Sequence, residues 1–184
     1  LIFGNFETSG NMLLIEEGKY EQLPTKGSVQ VTDFSLTDET LPVDISIPEA
    51  NLSFDNQQLV LNQFKVLFGE SDLQMTGSLE NFIGYALRPS EVLHGILNLS
   101  VQTLNFNPFL SMTDTSVTDA AVDTSVLEII RIPINIDIVL KTQIGQLLYD
   151  NLEVKDMDGK VTMSEGIAQL DNLDFNLLEG DFLM

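Results

Sequence analysis

One strand motif recurs along this chain and restricts its fold more than any other feature. It reads apolar-x-apolar, two polar residues, then apolar-x-apolar. Val29, Val31, Phe34 and Leu36 flank Thr32-Asp33 in this way, and Leu59, Leu61, Phe64 and Val66 flank Asn62-Gln63. Leu99, Val101, Leu104 and Phe106 flank Gln102-Thr103. Leu147, Tyr149, Leu152 and Val154 flank Asp150-Asn151, and Ala168, Leu170, Leu173 and Phe175 flank Asp171-Asn172. In a flat strand, residues three apart point to opposite faces. Keeping both on one face takes an extra residue, as a β-bulge, or a two-residue hairpin turn. The central pairs lack Asn-Gly and Asp-Gly, so bulges are the preferred reading at every copy. Bulges bend strands and increase their twist, which predicts a curved sheet.

Elsewhere, period-two alternation dominates. Ile132, Ile134, Ile136, Ile138 and Leu140 alternate with Pro133, Asn135, Asp137 and Val139. Leu73, Met75, Gly77 and Leu79 alternate with polar residues, as do Leu97, Leu99 and Val101. Turn residues punctuate these runs at Glu17-Gly18, Lys26-Gly27, Asp55-Asn56, Phe68-Gly69, Asp158-Gly159, Glu165-Gly166 and Glu179-Gly180. Helical signal is confined to Glu80–Leu87, capped by Asn81 or Ser78 and ended by Pro89, to Asn107–Met112, and to Val122–Ile130. Ser111–Ser125 is small, polar and acidic, and reads as a flexible surface loop.

These elements predict a mainly β fold: a curved, twisted antiparallel sheet with a few short helices, in one unit spanning residues 1–184. An apolar sheet face must be buried against another layer. Three short helices cannot cover a long sheet. The sheet either folds back as a sandwich or half-barrel, or keeps an open groove for a ligand.

Charge narrows the partners. Lys plus Arg is 8 and Asp plus Glu is 28, a formal net charge of −20. Phosphate backbones need clustered cations, so nucleic acid is excluded as a partner. Docking on anionic membrane surfaces is disfavoured for the same reason. With 43% hydrophobic residues the chain is too apolar for a disordered acidic one. Cys is 0, which excludes disulfides, thiol catalysis and thiolate metal sites and suits an oxidising compartment without requiring one.

Catalytic chemistry finds no foothold. His94 is the single His, has no G-x-S-x-G elbow to serve, and reads as a residue of a helix-to-strand turn. Asp156-Met157-Asp158-Gly159 fails the calcium-loop spacing, since Ile167 stands where the terminal Glu belongs, and reads as a hairpin turn. Neither a G-x-x-x-x-G-K nor a G-x-G-x-x-G loop is present. The reading is therefore non-enzymatic, with no cofactor and no metal. Abundant acids are all that favours a hydrolase.

The order of the longer runs carries a resemblance. SDLQMTGSLENFIGY (Ser71–Tyr85) is followed by LHGILNLSVQTLNFNPFL (Leu93–Leu110), the acidic loop, and Ile132–Met184 with Tyr149 through Val154, Gly159, Gly166 and Gly180. From Leu52 to Met184 this resembles the C-terminal region of AsmA-like proteins of Gram-negative bacteria. The resemblance implies a role in outer-membrane assembly or inter-membrane lipid transport. It also implies relation to bridge-like lipid-transfer proteins, a periplasmic location, and an N-terminal inner-membrane anchor absent from this chain. The start at Leu1 and the end within Phe182-Leu183-Met184 fit a piece of such a longer protein. The implied partner is phospholipid or another envelope lipid. The candidate groove lining is Val31, Phe34, Leu61, Phe64, Val101, Phe106, Tyr149, Leu170 and Phe175. The alternative is a structural or adhesive β-sandwich module of a surface protein.

Overall fold

A computed structural model describes residues 1–10, 12–19, 22–38, 41–110, 132–177 and 180–183. Ten strands form one sheet in strict chain order. They are β1 (Ile2–Thr8), β2 (Thr25–Leu36), β3 (Ile45–Asp55), β4 (Gln58–Phe68), β5 (Ser71–Glu80), β6 (Leu93–Asn105), β7 (Ile136–Tyr149), β8 (Leu152–Ser164), β9 (Ile167–Leu177) and β10 (Gly180–Leu183). Three short helices interrupt them: α1 (Met12–Glu16), α2 (Phe82–Leu87) and α3 (Asn107–Leu110). The fold is mainly β, and the sheet is curved and not closed.

Neighbouring strands pair antiparallel at every step except one. β6 and β7 run parallel, from Leu93↔Ile136 to Asn105↔Leu148. This corrects the expectation of a purely antiparallel sheet. The reason is the connection. Antiparallel neighbours need only a tight turn, whereas parallel ones need a long return. Residues 106–135 join the two strands, and β6 alone, with 13 residues, extends about 43 Å. The acidic loop at 111–125 and the helix expected at 122–130 fall outside the described residues. Ile132-Pro133 precedes β7, and Ile134-Asn135 forms a turn before it.

The recurring motif divides into two structures. Asp33 (φ 51) and Asn172 (φ 50) take the left-handed conformation inside β2 and β9. Asp and Asn tolerate it better than other side chains bearing a Cβ. The β4–β5 register slips between Leu61 and Phe64, at Asn62-Gln63. In β6, the Gln102 and Thr103 N–H groups both donate to Asp72 Oδ1, at 3.1 and 2.8 Å. These four copies are irregular steps within strands. The fifth is not: Asp150-Asn151 is the two-residue turn of the β7–β8 hairpin, closed by Tyr149↔Leu152. Asp150 alone of that pair has positive φ (54).

Other local expectations shift in the same way. Asp156–Gly159 is not a hairpin turn; it lies inside β8, where Asp156 (φ 49) and two register slips bend the strand. Lys26-Gly27 likewise sits in β2 rather than in a turn. His94 is the second residue of β6, not a turn residue, and pairs across to Glu80 and Asp137. α2 begins after Asn81, as its capping role predicts, although the Asn81 side chain makes no capping bond. It instead donates to Glu91 Oε2 and the Val92 carbonyl. α1 carried no helix signal strong enough to predict.

Gly77 is a position on the apolar face with no room for a side chain. It stands between Leu61 and Leu97 with φ 142, and a Cβ there would lie 2.2 Å from the Ile96 carbonyl oxygen. Gly77→Ala should destabilise the chain by about 2–3 kcal/mol, through strain and overlap together. Urea unfolding followed by circular dichroism measures it.

Candidate functional site

Residues paired directly across neighbouring strands share a face. Following the pairs from strand to strand therefore traces each face through the sheet. One row runs Gly4, Val29, Leu52, Leu61, Gly77, Leu97, Leu140, Val161, Leu170, from β1 to β9. A second runs Phe6, Gly27, Phe54, Leu59, Leu79, Gly95, Ile138, Met163, Ala168. Neither row contains a polar side chain. A third, Ile2, Val31, Ala50, Phe64, Met75, Leu99, Thr142, Gly159, has one, Thr142. Its hydroxyl donates to the Gly159 carbonyl at 3.2 Å, so its hydrogen-bonding need is met. Eight strand spacings of about 4.8 Å make these rows roughly 38 Å long.

The opposite face is polar. Thr76, Asn98, Lys141, Lys160 and Asp171 form one of its rows. β6 displays both faces along a single strand. Leu93, Leu97 and Leu99 are half-buried and Val101 is buried, while His94, Ile96, Asn98 and Ser100 between them are exposed.

The irregular steps keep the apolar face whole. Val31 and Phe34 stay on it because two residues intervene, and their partners Ala50 and Ile47 on β3 are spaced the same way. Leu61 and Phe64 repeat this on β4. Val101 and Leu104 repeat it on β6, opposite Ile144 and Leu147. Without these steps, half of each strand would turn its apolar side chains to the polar face.

No second sheet faces this surface: extensive strand–strand contacts among the described residues join only sheet neighbours. Of the forms considered from sequence, the open one is found. Two helices touch the face near opposite strand ends. The Phe82 ring of α2 meets Phe54 edge-on at 6.1 Å, and the Phe109 ring of α3 meets Phe68 edge-on at 5.8 Å. The buried hydrophobic residues among those described are Ala50, Leu61, Val101, Ile138 and Ile144. They sit on central strands, where neighbours on the curved face enclose them. Toward the edges the face opens: Phe6 is 66% and Leu170 57% exposed.

Eight of the nine candidate lining residues fall on this face. Val31, Leu61, Phe64 and Leu170 lie on its rows, Val101 pairs with Leu73 and Ile144, and Phe34 pairs with Ile47. Tyr149 and Leu152 close the β7–β8 end, and Phe175 pairs with Phe182 of β10. Phe106, one residue beyond β6, lies outside the traced pairs; its N–H donates to the Leu148 carbonyl at 2.9 Å and it leads into α3. Leu61 and Val101 are buried, whereas Phe34, Tyr149 and Leu170 are exposed. Val29, Leu52, Leu97, Leu140 and Val161 share the first row with Leu61 and Leu170 but were not among the candidates; alternation within their strands was the signal.

The electrostatics is that of a solvated polar face. His94 Nδ1 lies 3.3 Å from Asp137 Oδ2, both half-exposed. Hydrogen bonding from Gln169, then from Lys160, holds the Asp171 carboxyl below its ordinary value. Gln146, then Lys155, does the same for Glu153. A carboxyl lowered by folding contributes stability above its unfolded pKa and loses that contribution as pH falls through the folded value. Carboxyl-detected NMR titration should place both midpoints below the usual range of about 4. Among the described residues no group of three His, Asp or Glu side chains could hold a metal ion.

No family model, curated protein or solved structure matches the chain.

Burial separates two kinds of position on the apolar face. Val101→Ser removes a buried side chain and leaves a hydroxyl in its place, for an expected loss of about 2 kcal/mol. Leu170→Ser, at an open position, should change stability by no more than about 0.5–1 kcal/mol. Paired denaturant titrations compare the two.

Proposed function

We propose that this chain is a non-enzymatic periplasmic segment of an AsmA-like envelope protein, anchored in the inner membrane through a part outside this chain. In this reading it serves outer-membrane assembly or inter-membrane lipid transport by shielding lipid chains on its apolar sheet face. The observation that carries the reading is that face: apolar rows run unbroken across nine strands with no facing sheet among the described residues. Contiguous exposed apolar surface on this scale marks a binding site.

The mechanism is non-covalent. An acyl chain of about fourteen methylenes would cost about 11 kcal/mol to expose to water, at about 0.8 kcal/mol each. Against Leu, Val, Ile and Phe side chains it keeps contacts like those of the bilayer. Transfer between membrane and protein is then close to balanced, which reversible carriage requires. The alternative of an adhesive sandwich module lacks its second sheet among the described residues.

Phospholipid should co-purify with the chain when it is prepared without detergent from cells with an envelope. Mass spectrometry of the organic extract detects it. Phe34→Asp and Leu170→Asp, both at exposed apolar positions, should each lower the lipid load while circular dichroism stays unchanged. A lipid-free protein, or a load indifferent to both substitutions, would sink the reading.

A further inference from the structure

Charge is distributed unevenly around the apolar face. The strand lysines lie on the other side of the sheet. Lys26 pairs across to Glu7 and Asp55, Lys65 to Glu49 and Gln74, Lys141 to Asn98, and Lys160 to Asp171. Lys155 pairs to Gln146 and Asn176 on that side as well.

The strand ends border the apolar face, and there the charge is negative. Glu165 stands at one set of strand ends, and Asp44, Glu70 and Asp150 at the other, whereas Asp55 and Glu80 end their strands on the polar side, across from Lys26 and His94. Among the described connecting segments the cations are Lys19 and Arg88. Each is already paired, Lys19 Nζ with Glu17 at 2.7 Å and Arg88 Nε with Glu91 at 3.3 Å.

A lipid whose chains lie on the apolar face places its head group at these strand ends. We infer that the face selects amphiphiles whose head group carries a cationic amine and no net negative charge, of the phosphatidylethanolamine type, over anionic ones. This rests on the lipid-shielding reading above and adds the class of head group. The argument is charge complementarity. An anionic phosphate without an ammonium meets carboxylates on both sides, while the cations of the described connecting segments, Lys19 and Arg88, are engaged by Glu17 and Glu91. A zwitterionic head group brings its own. Such fields act over a Debye length of about 8 Å at physiological salt, which reaches a head group seated at the strand ends. Exposed charges at these distances discriminate modestly, by about three- to tenfold.

The test incubates the chain with phosphatidylcholine vesicles containing one tail-labelled fluorescent lipid, either phosphatidylethanolamine or phosphatidylglycerol with the same tails. Label recovered with protein after the vesicles are sedimented is the readout. Expected is an about three- to tenfold preference for phosphatidylethanolamine at low salt. It should shrink toward parity near 1 M salt, where the Debye length is about 3 Å. The combined variant Asp44→Asn, Glu70→Gln, Asp150→Asn and Glu165→Gln should lose the preference and still extract label. If that variant fails to fold, the salt series on the unaltered chain decides alone. Equal extraction of both lipids at low salt, or a preference for phosphatidylglycerol, overturns the inference and leaves the shielding reading standing. Extraction of neither lipid overturns both.

Discussion

The fold depends on a constraint in the backbone: a strand can keep apolar side chains on one face past a bend only by spending two residues there. β2, β4, β6 and β9 each do so, with Asp33 and Asn172 accepting left-handed backbone and Asp72 taking up two N–H groups at the step in β6. The rows of apolar side chains then line up across strands that bend together. Where the neighbour alternates straight through, as β5 does with Gly77 and Met75 opposite Leu61 and Phe64, the register slips at the step and the rows stay whole.

Curvature has an energetic consequence. A flat single-layer sheet leaves its apolar face in water, which the hydrophobic effect does not tolerate over rows of this length. Bending brings side chains of neighbouring strands together on the inner side. Leu61 and Val101 are buried in this way with no sheet opposite them among the described residues. The helices extend the effect only locally, each through one aromatic contact, Phe82 on Phe54 and Phe109 on Phe68. What remains open toward the edges is the surface assigned here to lipid, and its acidic border follows from where the chain turns. Asp, Glu and Asn serve the turns, while the strand lysines occupy the polar side.

Much of this was legible in the residues. The motif at Val31–Phe34 and Leu61–Phe64 gave both the bend and the shared face, because side-chain direction in a strand is a local property. The same motif misled at Tyr149–Leu152. A bulge and a two-residue turn place flanking apolar residues on the same face, so the pattern cannot separate them. Asp158-Gly159 misled in the opposite sense: a turn-forming pair is also what a strand uses to bend.

The sequence by itself determined the β class, the bends, and the separation of apolar from polar residues, since each follows from local backbone geometry and residue chemistry. Only the tertiary structure decided that β6 and β7 run parallel, that the strands form a single ordered sheet, and that the apolar face meets no second sheet among the described residues. Those outcomes depend on which distant segments pair and on the path of the connection between them. Alternation within a strand carries no information about either.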